Sequence, residues 1–129
     1  MIYKALLATA AVIFVASPLW AEDISTHVLN TATGQGGGGV PVTLEINRDG
    51  EWSEIATATT EENGRVEAFG IEAEVATYRL SFDMTAYDGF EKPAFFPEIS
   101  VVFAVQDSGR HHHVPVLVSP FGYSTYLGN

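Results

Sequence analysis

No cysteine occurs in the 129 residues, so no disulfide staples the fold and no thiol serves as a nucleophile. Stability must come from a packed core, which a domain of about 100 residues can supply, the more so if it oligomerises. Cations are scarce as well. Six Lys and Arg stand against 16 Asp and Glu, giving a formal charge of -10. Such a chain repels nucleic acid and anionic membrane surfaces at long range. Each cation beyond the N-terminal stretch (Arg48, Arg65, Arg79, Lys92 and Arg110) is conspicuous for that reason. There is no Gly-x-Ser-x-Gly elbow. The glycine run in "TATGQGGGG" is not followed by Lys-Ser/Thr, so it reads as a flexible turn and not as a phosphate loop. No internal repeat or heptad pattern is present.

The chain does hold one long apolar run, "MIYKALLATAAVIFVASPLWA", with Lys4 near its start and small Ala21 at its end. This order of charge, apolar stretch and small residue is that of an export leader. Its uninterrupted apolar part, between Lys4 and Ser17, is short of the about 20 residues of a membrane span. Residues 1–21 are therefore expected to be removed, leaving a single domain over 22–129 that is periplasmic and free of the membrane. A retained anchor is the alternative.

Downstream the pattern is one of short alternating segments. "ISTHVLN", "VPVTLEIN", "EWSEIATATT", "RVEAF", "ATYRLSFDM", "EISVVFAVQD", "HHHVPVLVS" and "YSTYLGN" each read as a strand, with turn residues between them. "TAYDGFEKPAFFP" is irregular, with room for one helical turn, and "FFPE" is expected to plug the core. Trp52 and Tyr78 are expected to pack. The fold class is all-β: an antiparallel β-sandwich of seven to eight strands with one short helix.

Strand parity assigns faces, because residues i and i+2 point the same way. In "HHHVPVLVS", His112, Val114, Val116 and Val118 form the natural core face, which turns His111, His113, Pro115 and Leu117 outward. In "STHVLN", His27 and Leu29 point outward and Val28 inward. In "YSTYLGN", Ser124, Tyr126 and Gly128 share a face opposite to Tyr123, Thr125, Leu127 and Asn129. If these strands are neighbours, His27, His113 and Tyr126 line one pocket. An apolar outward face of this kind indicates cover by another subunit.

The segments "ISTHVLNTATG", "ENGRV", "TYRLSFD", "FFPEISVVFAV" and "HHHVPVLVSPFGYSTYLGN", in this order, resemble the transthyretin-related 5-hydroxyisourate hydrolases from about Ile24 to Asn129. The resemblance implies a transthyretin-like (prealbumin-like) sandwich of two four-stranded sheets. It also implies a homotetramer with sites in a channel between dimers. The implied reaction is hydrolysis of the small molecule 5-hydroxyisourate to 2-oxo-4-hydroxy-4-carboxy-5-ureidoimidazoline in urate (purine) degradation, without cofactor or metal. Carried over by motif, the catalytic residues are His27, Arg65 and His113, with Asn63 replacing the family's aspartate in "ENGR". Tyr126, Ser124 and Asn129 are the expected substrate contacts. The family closes on Tyr-Arg-Gly-Ser, whereas this chain closes on "YLGN", with Leu127 in place of arginine and Asn129 in place of serine.

Ring-amide hydrolysis needs an activated water, a charge stabiliser and a proton for the leaving nitrogen. Histidine suits the first and third tasks and arginine the second. Which histidine acts as base is open at this stage. So are several rivals: a zinc site built from His27, His111 and His113; a Ser124–His113 nucleophilic pair; a transthyretin-type small-molecule-binding protein with impaired catalysis; and an exported structural or adhesion sandwich.

Overall fold

The computed structural model describes residues 23–129, and the leader expected over 1–21 lies outside these residues. Alternation in the sequence becomes two stacked sheets. The first holds β1 (Ile24–Asn30), β2 (Gln35–Gly36), β5 (Arg65–Val66), β8 (His112–Ser119) and β9 (Gly122–Thr125). The second holds β3 (Pro41–Arg48), β4 (Glu51–Thr59), β6 (Ala76–Asp83) and β7 (Glu98–Val105), in the order β4-β3-β6-β7. A 3-10 turn at Met84–Ala86 is the one helical turn among the described residues, capped by the Asp83 carboxylate accepting from Thr85 N at 3.0 Å.

The core sits where the inward residues of both sheets meet. Val28, Val114, Val116 and Val118 come from one sheet, and Val42, Leu44, Ile46, Tyr78, Leu80 and Phe82 from the other; all are buried. Each such side chain contributes about 1.5–3 kcal/mol by leaving water, so the fold stands without a disulfide. Tyr78 packs as expected, with its hydroxyl satisfied by the backbone of Glu74. Trp52 lies on the outer side of the second sheet, where the Arg79 guanidinium stacks 4.2 Å from its ring centroid and pairs with Glu45 at 2.9 Å.

Several details differ from the sequence expectations: among the described residues nine strands form instead of seven to eight, and the first sheet has five strands instead of four. β1 pairs with β8 in parallel, placing Ser25 opposite His113 and His27 opposite Pro115, whereas the other ladders are antiparallel. The two strands lie at opposite ends of the domain sequence, so no hairpin forces them antiparallel. "FFPE" does not plug the core: Phe95 is 66% exposed and Phe96 37%, stacked edge-on against each other and, for Phe96, against Tyr123. The segment runs beside the edge strand β9 instead of between the sheets, as the bond from Phe95 N to Pro120 O shows.

The glycine run also serves close packing rather than flexibility. A Cβ at Gly36 would lie 1.9 Å from Asn63 O, and one at Gly64, which has φ +82°, would lie 2.2 Å from Val28 O. Only glycine lets the 35–37 segment and the "ENGR" turn press against β1. That contact fixes the turn carrying Arg65 to the strand carrying His27.

Candidate active site

β1 lies between β5 and β8 and presents Ser25 and His27 on its outward side. Pairing brings Arg65 opposite His27 from one side and His113 opposite Ser25 from the other. His27 and His113 are thus one strand apart (about 4.8 Å) and displaced by two residues (about 6.6 Å) along the sheet. Between Arg65 and the chain's last residues opens a pocket of about 480 Å³, whose walls include Ser25, Arg65, His111, His113, Tyr126 and Asn129. Tyr126 is 56% exposed at its rim.

The turn that delivers Arg65 is built by Asn63. Its side-chain oxygen accepts from Arg65 N at 3.0 Å, as an aspartate oxygen would, so the departure from Asp costs the turn nothing. The Asn63 carbonyl lies 3.0 Å from His27 Nε2. A carbonyl only accepts, so His27 Nε2 carries a proton and the neutral ring keeps its lone pair on Nδ1.

His113 is held from the opposite side. Its Nδ1 lies 2.7 Å from Ser25 Oγ, and Ser25 Oγ is also 2.6 Å from His111 Nε2. Among the described residues no buried side-chain nitrogen lacks a partner, and Nδ1 is the His113 ring nitrogen that is bonded. Nε2 of His113 is therefore open to solvent in the pocket. Gly128 bridges back to His113, donating its N–H to His113 O at 2.7 Å. A Cβ there would lie 2.6 Å from His113 Cδ2, so the glycine of the closing tetrapeptide gives this ring its room.

Burial, and then the positive charge of Arg65, hold His27 below the ordinary histidine pKa, against the opposing pull of the Asn63 carbonyl. His113 is lowered chiefly by burial, then by Arg65, His111 and His27. Both rings are accordingly neutral near pH 7, the form that accepts a proton. His112 points inward as parity requires; it is 6% exposed, and its Nδ1 lies 3.1 Å from Arg110 O.

The structure therefore gathers His27, Arg65, His113, Tyr126 and Asn129 around one region. It does not bring in Ser124, which pairs with Leu117, four residues or about 13 Å along β8 from His113. A Ser124–His113 nucleophilic pair is excluded by that spacing. The zinc arrangement does not form either: His111 Nε2 and His113 Nδ1 converge on the Ser25 hydroxyl, and among the described residues no three His, Cys, Asp or Glu are grouped to hold a metal ion. Leu127 turns away, lining an apolar slot of about 360 Å³ with Val102 and Phe103. Ser25 is the residue that sequence reasoning missed. The signal was its i, i+2 parity with His27, which has meaning only once β1 and β8 are known to pair in this register.

Known proteins share this sequence pattern and fold. A family model described as HIUase/Transthyretin family matches residues 24–128. A 5-hydroxyisourate hydrolase of Salmonella typhi is 39% identical, with 96% of this chain and 97% of that protein covered. One of Ralstonia nicotianae is 38% identical over 82% of this chain and 97% of its own length. Among solved structures, Klebsiella pneumoniae 5-hydroxyisourate hydrolase superimposes with a TM-score of 0.68 at 32% identity, covering 83% of this chain and 99% of that one. Sea bream transthyretin bound to thyroxine gives 0.74 at 27% identity, covering 82% and 94%. The chain belongs to the HIUase/Transthyretin family.

Proposed function

We propose that this protein hydrolyses 5-hydroxyisourate to 2-oxo-4-hydroxy-4-carboxy-5-ureidoimidazoline in urate catabolism. One observation carries the reading: two neutral-leaning histidines, each with one nitrogen held and the other left unpaired, share one sheet face with a single arginine. A thyroxine-type carrier has no need of that acid–base geometry. Relatives named for this hydrolysis match nearly the whole chain, which supports the same reading.

His113 Nε2 accepts the proton of a water in the pocket, and the water oxygen attacks the ring carbonyl. Arg65 receives the charge that develops on the carbonyl oxygen, and its fork also gives an anionic substrate a landing site on an acidic surface. His27, whose Nδ1 is the free nitrogen, orients the water or substrate. Tyr126 and Asn129 contact the substrate at the rim. The leaving ring nitrogen takes its proton back from His113. Assembly as a homotetramer, with the histidine-bearing faces turned toward one another, and export through residues 1–21 to the periplasm complete the proposal. They are supported by the outward Leu29 and Leu117 and by the leader-like composition.

The test is decay of freshly generated 5-hydroxyisourate, followed by its ultraviolet absorbance. The wild-type protein should accelerate decay, with or without chelator. His113→Asn and His27→Asn should lose roughly 10²–10⁴-fold. Decay no faster than the buffer blank, from folded protein, would overturn the reading in favour of a binding protein.

A further inference from the structure

The hydroxyl of Ser25 lies within hydrogen-bond distance of two imidazoles at once, 2.6 Å from His111 Nε2 and 2.7 Å from His113 Nδ1. A hydroxyl has one proton to give, so it donates to one ring and accepts from the other. Two arrangements are possible, and each fixes the His113 tautomer. If Ser25 donates to His111, it accepts from His113 Nδ1–H, and His113 Nε2 presents a lone pair to the pocket. If the chain is reversed, His113 Nε2 presents a proton. Ser25 is only 6% exposed, and its hydroxyl is shared between both rings.

We infer that Ser25 is a positioning residue and the link of a short proton chain, His113–Ser25–His111, that switches His113 from base to acid within one turnover. The inference rests on the hydrolase reading above.

In the resting state the proton sits on His113 Nδ1 and Ser25 donates to His111 Nε2. When water is activated, its O–H bond breaks and a bond forms from that proton to His113 Nε2. The Nδ1–H bond then breaks toward Ser25 Oγ, while the original Ser25 proton passes to His111 Nε2. His113 is left neutral with its proton on Nε2, and the positive charge rests on His111. When the ring C–N bond breaks, His113 Nε2 gives its proton to the leaving nitrogen. The chain runs backward, returning a proton to His113 Nδ1 and leaving His111 neutral. The net transfer is one proton, from water to nitrogen.

The surroundings favour this direction of charge movement. His113 is half-buried and faces Arg65 and His27, whereas His111 is exposed before the start of β8, where water solvates its cation. The charged or titratable groups on the pocket wall are Arg65, Glu67, His111, His113 and Tyr126. Of these, only His111 and His113 hydrogen-bond the Ser25 hydroxyl.

Three variants and one spectrum test it. Ser25→Ala should lower kcat about 10²-fold with KM little changed, and Ser25→Thr, which keeps the hydroxyl, should restore most of it. His111→Gln keeps a hydrogen-bonding group on an exposed residue but cannot carry the proton, so it should also lower kcat and leave KM alone. In ¹⁵N-histidine NMR at pH 8, wild-type His113 should carry its proton on Nδ1, and Ser25→Ala should shift it toward Nε2. Wild-type turnover, with Ser25→Ala and His111→Gln matching it in kcat and His113 tautomer unmoved, would overturn the chain while leaving the hydrolase intact. Absence of wild-type turnover would overturn the hydrolase and with it the catalytic use of the chain.

Discussion

Arg65 acts on the site even before substrate arrives. Its guanidinium is the second cause, after burial, holding both His27 and His113 below the usual histidine value. A base must be neutral to work, so the rate should fall on the acid side as the ring protonates. With the pKa lowered, that fall should centre below the ordinary value of about 6.5. Removing the positive charge raises both pKa values. Arg65→Met should therefore move the acid limb of kcat/KM to higher pH, besides lowering its plateau. A pH–rate profile of the two proteins checks this, and a limb that stays in place would assign it to a group remote from Arg65. Most of these side chains were legible in sequence through parity and motif. Ser25 was not, because a hydroxyl on a strand is common and its meaning depends on which residue of β8 lies opposite. Ser124 was misplaced for the same reason: parity gave its face correctly but not its distance along the strand.

At the scale of elements, β1 organises the site, and its first turn of chain is anchored by a buried carboxylate. Asp23 is 3% exposed; its two oxygens accept from Phe69 N at 3.1 Å and Gly70 N at 3.0 Å, as well as from Ile24 N. Its own carbonyl accepts from His112 N at 3.1 Å. One residue thus ties together the starts of β1 and β8 and the segment that follows β5. Asp23→Ala leaves the Phe69 and Gly70 amides without their acceptor, a loss of about 1–3 kcal/mol. Thermal unfolding at fixed protein concentration should show Tm lower by at least about 4 °C, and an unchanged Tm would mean that water replaces the carboxylate freely. The long strands β3, β4, β6, β7 and β8 were readable because their apolar residues alternate. The two-residue strand β2 was not, since two residues carry no period, and β5 was read too long. "RVEAF" reads as a strand of five, yet pairing stops after Val66, where the chain leaves β1 to reach the Asp23 carboxylate.

At the scale of the molecule, the proposed tetramer needs an apolar contact, and the outward side of the first sheet offers a small one. Leu29 and Leu117 lie opposite each other across the β1–β8 ladder, both half-buried, with Pro115 buried next to them. The strongly acidic chain resists association at long range, so contact between copies must come from such local apolar surface. In the proposed tetramer this face meets its copy across a two-fold axis, so a change at Leu117 enters the interface twice. Leu117→Glu then sets an unpaired charge in an apolar interface while leaving the pocket walls, four residues away, untouched. Analytical ultracentrifugation should show the mass falling from tetramer to dimer, with the far-ultraviolet circular dichroism of a β-sandwich retained. Turnover should fall with the mass, because the channel that encloses Arg65, His27 and His113 opens to bulk water, where hydrogen bonds and charges act more weakly on the transition state. A Leu117→Glu protein that stays tetrameric would show that subunits meet elsewhere, and one that is dimeric but fully active would show that a single face suffices for the chemistry.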